Sequence, residues 1–252
     1  MSTTSIATGK LGKLPVRTDV RTLWLSRYVD EAKLPSPPGQ LDLTLGVDGW
    51  PMYANDTRGD CTTAAAAHMI GAWTAAARGE SVEVSESSVL RAFERVKLVD
   101  PFTGDEGAFM LDVLRLWRAH GIGRHRIGAF SRVGVGDRQR VRSAAWLFGG
   151  LYVGFALPLT ARGQRVWEWT GTLGGDAKPG SWGGHAVDVV RYDRAGLTVV
   201  TWGRLQRMTW GFWDRYCEEA YCALSTDFVE RGRAPNGFDL EALRAELALV
   251  TA

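Results

Sequence analysis

An α+β fold, helices in the first half and antiparallel strands in the second, is what three features of this 252-residue chain predict. An alanine run directly after Cys61 can continue only as a helix. Apolar residues recur at helical spacing in three further segments before position 150. From Leu151 onward, short runs rich in Val, Tyr, Phe and Thr alternate with turn residues, and helices followed by strands is an α+β order.

The elements follow in chain order. Residues 1–50 read as an extended arm. They hold a short amphipathic piece at 21–29, the stiff Leu34-Pro35-Ser36-Pro37-Pro38-Gly39 segment, and strand-like alternation of Leu41, Leu43 and Leu45. Such an arm either packs back on the body or grips another subunit. A central helix is predicted from Cys61 to about Arg78, with Asp60 as its N-cap. Ser85 starts a second helix, carrying Val89, Leu90, Phe93 and Val96, that ends by Asp100-Pro101. The third runs from Phe109 to His120 with Gly121 as C-cap, and the fourth from Asp137 to Phe148. Leu151 to Leu157 is a strand stopped by Pro158, and Trp167 to Thr170 alternates as a strand does. His185–Tyr192 and Leu197–Trp202 form a hairpin around residues 193–196. A short helix from Thr209 to Glu219 and a strand from Tyr221 to Ser225 close the body. The period of Leu240, Leu243 and Leu247 marks an amphipathic helix at the C-terminus. The predicted domains are an arm at 1–50, a body at 51–232 and that helix at 233–252.

Composition excludes more than it assigns. With 45% hydrophobic and 23% charged residues the chain can bury a real core. A formal net charge of +2 gives no reason to expect a nucleic-acid or membrane-surface partner. Of the 30 basic residues 25 are Arg, a skew that fits GC-rich coding rather than binding. Three cysteines, Cys61, Cys217 and Cys222, cannot all pair. The N-terminus lacks the apolar core of a secretion signal and no run approaches a membrane span. Synthesis in a reducing cytoplasm is the expectation, with lysis or assembly into a larger particle carrying the protein out if it acts outside.

Chemistry concentrates at two places. Cys61 falls at the first position of its helix, where unpaired N–H groups and the helix dipole favour a thiolate and lower the thiol pKa. Gly183-Gly184-His185-Ala186-Val187 puts a histidine at the start of an apolar strand, with two glycines that let another element approach the backbone. A helix-start cysteine and a strand-start histidine 124 residues later have the order of a two-lobed thiol hydrolase, one lobe giving the nucleophile and the other the base. A lone cysteine filling a core gap is the bland reading.

The segment Asn55-Asp56-Thr57-Arg58-Gly59-Asp60-Cys61 resembles the active-site segment of papain-like cysteine peptidases, whose oxyanion-hole glutamine stands six residues before the nucleophile. Gly184-His185-Ala186-Val187 is similar to their histidine strand. Val200-Thr201-Trp202-Gly203 and Thr209-Trp210-Gly211 resemble their Asn-Ser-Trp-Gly and following Trp-Gly region. The likeness spans roughly residues 45–225 and extends to papain-like proteins encoded by actinobacteria and their phages. It implies a helical lobe with a central helix starting at the cysteine and an antiparallel sheet or barrel lobe. It also implies a peptidase or amidase-type hydrolase with Cys61 as nucleophile, His185 as base and Asn55 in the oxyanion hole, acting on a peptide or protein substrate without a cofactor or metal.

The sequence departs from that family at two site positions; in addition the Asp60 carboxylate opposes a thiolate on the next residue, and the arm lacks the charged helical pattern of the usual inhibitory pro-segment. Asparagine replaces glutamine at position 55, and the place of the histidine-orienting asparagine falls on Val200 or Thr201; only threonine can hydrogen-bond the ring. These changes motivate the alternative of a catalytically degenerate body with a structural role, such as a virion decoration or minor structural protein whose arm grips other virion or homo-oligomer subunits. Carbohydrate binding rests only on the 11 tryptophans, which also fill cores. His120 and His125 fit no standard zinc spacing, and His68 reads as a residue packed between helices. Cys217 and Cys222 read as packed thiols.

Overall fold

The computed structural model describes residues 9–19, 22, 24, 25 and 36–228. The predicted C-terminal helix and most of the 21–29 piece lie outside them. In chain order the elements are β1 (Leu41–Asp42), α1 (Cys61–Arg78), α2 (Glu86–Val96), β2 (Leu98–Val99), β3 (Glu106–Gly107), α3 (Met110–His120), β4 (Ile127–Val133), α4 (Arg138–Phe148), β5 (Leu151–Leu157), β6 (Val166–Trp167), β7 (Gly183–Tyr192), β8 (Gly196–Thr201), β9 (Arg204–Thr209), α5 (Trp210–Tyr216) and β10 (Cys217–Ser225). One large sheet runs β4-β10-β5-β7-β8-β9-β6, with β1 added on β7. Its pairings are antiparallel except β6 with β9.

Helix α1 organises the core because its small side chains let other elements approach. Every residue from Cys61 to Ala75 is buried, a pattern of a helix walled on all sides rather than an amphipathic one. Trp73 stacks on Trp117 of α3 at 5.4 Å and donates its indole N–H to the Phe148 carbonyl at 2.9 Å. A buried indole with its donor satisfied contributes area without a desolvation penalty. Asp137 caps α4 by accepting from the Gln139 and Arg140 amides, and Thr209 caps α5 by accepting from Phe212.

Several boundaries differ from expectation. Asp60 precedes α1 but its side chain makes no capping bond to the helix. Strands β4 and β9 arise from Ile-Gly-Ala-Phe-Ser-Arg-Val and Arg-Leu-Gln-Arg-Met-Thr, whose apolar residues do not alternate cleanly enough to announce them. The strand expected at 41–45 is limited to two residues, and that at 167–170 to Val166–Trp167. Helix α5 stops at Tyr216 instead of Glu219, because Cys217–Glu219 pair with β5.

Candidate active site

Cys61 opens α1 and His185 lies near the start of β7, and both are buried. The Cys61 thiol is within hydrogen-bonding reach of the backbone of Ala186, the residue after His185. Helix and histidine strand therefore meet at this point. His185 Nε2 lies 2.6 Å from Thr201 Oγ1. The imidazole stacks on Trp202 with centroids 4.5 Å apart and an interplanar angle of 21°. Its Nδ1 is buried with no hydrogen-bond partner among the described residues.

The turn between β8 and β9 sets this arrangement. Thr201 pairs with Arg204, leaving Trp202 and Gly203 as the two central residues, both with positive φ (47° and 70°). A two-residue hairpin favours that geometry, but a tryptophan held there costs about 1–3 kcal/mol. The surrounding aromatics hold it: Trp182 and Trp167 lie 5.4 and 6.4 Å from the Trp202 ring.

Residues 9–14 of the arm run through the seam between the lobes. Lys13 N–H donates to Gly184 O at 3.1 Å, Leu14 N–H to Ala108 O at 3.0 Å, and Ala108 N–H to Gly12 O at 2.8 Å, so this stretch is a short parallel strand beside Ala108. Lys10 N–H donates to Asn55 O at 2.6 Å. Its carbonyl accepts from both Asn55 Nδ2 and Trp202 Nε1, each at 3.2 Å. Two side-chain donors thus converge on this one carbonyl oxygen of the arm. Asn55 Nδ2 also donates to Arg58 O at 3.1 Å. The approach is backbone to backbone. A Cβ on Gly12 would lie 1.8 Å from Gly59 O, and one on Gly184 would lie 2.1 Å from Lys13 O. The close approach that the two glycines before His185 permit is made by the arm.

The arm is pinned by an ion cluster in which Lys13 and Glu219 are buried and Glu218 is exposed. Lys13 Nζ lies 2.9 Å from Glu218 Oε2 and 3.2 Å from Glu219 Oε1, with the lysine side chain 1% exposed and that of Glu219 2%. Removing one partner of such a pair costs about 3–5 kcal/mol, because the other charge is left stranded.

Burial dominates the electrostatics. It pushes the Cys61 thiol up to about 12, with the Asp60 charge adding to that and hydrogen bonds to the Ala186 and Gly12 backbone and the Lys13 charge opposing it. The expected lowering of the thiol pKa by the helix start is thus reversed, since desolvation of the buried thiolate outweighs the dipole. Burial likewise lowers His185 to about 3, so cysteine and histidine are both neutral. Burial raises the Asp60 carboxyl to about 7, against weaker lowering by Asn55, its own backbone and Arg58. Asp188, farther along β7, is fully buried, has no hydrogen-bond partner for either oxygen among the described residues, and is raised well above the carboxylate range by desolvation.

Sequence reasoning missed Lys13, Glu218, Glu219, Asp188 and the stacking role of Trp202. The usable signal was the paired acids Glu218-Glu219 inside an otherwise apolar strand. His68 packs not between helices but beneath the loop ahead of α1, its Nε2 2.8 Å from Pro51 O and its ring against Trp50 and Tyr53. Among the described residues no group of three or more His, Cys, Asp or Glu could hold a metal, and no helix is long and apolar enough to cross a membrane.

Comparison with solved structures decides the architecture. Xylellain, a cysteine protease from Xylella fastidiosa, superposes with a TM-score of 0.65 at 15% identity, over 86% of this chain and 96% of that one. The fold is that of the papain-like cysteine proteases. A procathepsin B from Trypanosoma congolense matches with a TM-score of 0.59 at 13% identity over 85% and 86% of the two chains. Procathepsin L 3 of Tenebrio molitor matches at 0.57 and 14% identity over 84% and 75%. No family model matches the papain-like chain, and no curated protein sequence does.

Proposed function

We propose that this chain is a cysteine peptidase-type hydrolase whose cleft is closed by residues 9–14 of its own arm. The observation that supports it best is the setting of His185, stacked on Trp202, tied at Nε2 to Thr201, and with Nδ1 free beside the strand position that meets Cys61. With the arm displaced, water reaches the seam and the desolvation that keeps thiol and imidazole neutral is relieved. His185 Nδ1 takes the Cys61 proton while Thr201 Oγ1 accepts from Nε2–H and holds the tautomer. The thiolate attacks an amide carbonyl, and the oxyanion is met by the Cys61 backbone N–H and Asn55 Nδ2, the amide that now binds Lys10 O. The amine leaves with the proton from imidazolium. Water, deprotonated by His185, then cleaves the thioester and frees the acid. Several of the similar solved structures are proforms or precursors, in keeping with a chain that covers its own cleft.

The burial of a neutral Cys61 and His185 also favours a second reading, a non-catalytic body with a structural role, the virion decoration or minor structural protein among its forms. Gly12→Ala separates the two, because the new Cβ would meet Gly59 backbone and only the arm can yield. Treated with a peptidyl epoxide, Gly12→Ala should be modified at Cys61 far faster than at Cys217. That selectivity should vanish when His185→Ala is added. Equal rates at the two cysteines would leave only the structural role.

A further inference from the structure

The space that Lys13 fills has the construction of a recognition pocket, and its parts come from three elements, β5, β10 and α3. Gly154 of β5 pairs directly with Glu219 of β10. A Cβ on Gly154 would lie 2.3 Å from Lys13 Cε and 2.6 Å from Met110 Sδ, so the absent side chain is what makes room for the lysine stem. The register of β10 against β5 shifts between Cys217 and Glu219. A bulge of this kind turns two consecutive side chains toward one face, which explains how Glu218 and Glu219 both reach the same ammonium. Tyr221 donates its hydroxyl to Glu219 Oε2 at 2.8 Å, leaving Oε1 for the cation. Lys13 also donates to its neighbour's carbonyl, Leu14 O, at 3.3 Å.

We propose that this is a substrate-recognition pocket for a cationic side chain, lysine or arginine, with Glu219 as the residue that sets the preference. The inference rests on the hydrolase reading for its role in catalysis, though not for the binding itself. Glu219 is buried, and the only cation paired with it among the described residues is Lys13. When the arm leaves, the carboxylate is stranded, and an isolated buried charge is costly until another cation replaces the first. An apolar or acidic side chain would leave that cost unrelieved or increase it, so discrimination comes from the unpaired carboxylate as well as from attraction. The place along a bound chain is also fixed. Lys13 N–H is bonded to Gly184 O, one residue before His185, and the backbone of Gly12 is in reach of the Cys61 thiol. A side chain in this pocket therefore belongs to a residue next to, or one removed from, the reacting carbonyl. Ala108 supplies both N–H and C=O to the arm and offers the same pair to any extended peptide.

The test uses the full chain with Lys13→Ala, which empties the pocket, and n-butylammonium chloride as the probe for the missing side chain. 1-Butanol matches it in shape without charge, and sodium chloride matches the ionic strength. At about tenfold excess over its dissociation constant, butylammonium should raise the Tm of Lys13→Ala by about 3–5 °C. Butanol and sodium chloride should not, and Lys13→Ala with Glu219→Gln should lose the response. Lys13→Met keeps the stem without the charge and guards against misfolding. It should melt below wild type, and the addition of Glu219→Gln should restore part of the loss. Equal shifts with butylammonium and butanol, or an unchanged response with Glu219→Gln, would overturn the pocket. For catalysis, Gly12→Ala should cleave a peptide carrying lysine at the pocket position at least tenfold better in kcat/KM than its norleucine twin, and Glu219→Gln should erase that ratio. Stabilisation by butylammonium with no cleavage of either peptide would sink the hydrolase reading and leave the pocket standing. Cleavage of both peptides alike, with no stabilisation, would do the reverse.

Discussion

Two buried polar clusters lie under the same arm, and the chain treats them in opposite ways. At the Cys61–His185 seam, desolvation drives both groups to their neutral forms and leaves one ring nitrogen without a partner. At the Lys13–Glu219 pocket a buried lysine and a buried glutamate face each other as an ion pair, 3.2 Å apart. The difference is that one short stretch, residues 9–14, lies against a desolvated, neutral pair in one place and is anchored by an ion pair in the other.

The largest expected effect that sharpens this contrast is at the nucleophile. In the Gly12→Ala background, Cys61→Ser should reduce peptide hydrolysis by about 10⁴–10⁶-fold, while the butylammonium response of the pocket stays unchanged. Retained hydrolysis would show that the seam is not where chemistry occurs. Next comes Asn55→Ala in the same background, for which a loss of about 10²–10³ in kcat is expected from the removal of one oxyanion donor. A change confined to KM would assign Asn55 to seating the arm alone. Thr201→Val should lower kcat by about tenfold or more through loss of the ring's orientation and move the acid limb of the kcat–pH profile. Thr201→Ser should restore both, which a packing role of the threonine methyl would not allow.

The smallest effect concerns stability against pH. Asp60 is raised in the folded state from 3.8 to about 7. Its contribution is therefore present below pH 4 and lost as pH rises through about 7. His185 and His68, lowered from 6.5 to about 3 and about 4, contribute above pH 6.5 and lose it as pH falls through those values. The two trends oppose each other between about pH 4 and 7. Asp60→Asn removes one of them, so its Tm should fall more steeply than wild type on acidification and exceed wild type above pH 7. The difference is on the order of a few kcal/mol at most. Parallel melting curves for the two proteins would contradict the assignment of a buried, proton-holding Asp60.

How much of this was legible in the sequence divides along the same line. The alanine run behind Cys61 and the apolar run behind His185 are local patterns, and they placed α1, β7 and the α+β order. The choice between Val200 and Thr201 was not local. It depends on the register of β7 with β8, which shifts between Val189 and Arg191, and no neighbouring residue announces such a bulge. The path of the arm was equally hidden. Gly9-Lys10-Leu11-Gly12-Lys13-Leu14 has neither helical nor strand periodicity, and its partners, Asn55, Ala108, Gly184 and Glu219, are scattered along the chain. Burial also reversed the expectation for the thiol. A helix start alone argues for a lowered pKa, and only the full burial of Cys61 in the folded chain shows why desolvation prevails.

The most direct measurement is the rate of alkylation of each cysteine by iodoacetamide at pH 7.5, mapped by peptide, in the wild-type chain and in Gly12→Ala. Covered and neutral, Cys61 should react slowly in the wild type and on the order of a hundredfold faster in the variant, with Cys217 and Cys222 unchanged. A Cys61 that is equally slow in both proteins, or fast in both, would contradict a nucleophile held off by the arm.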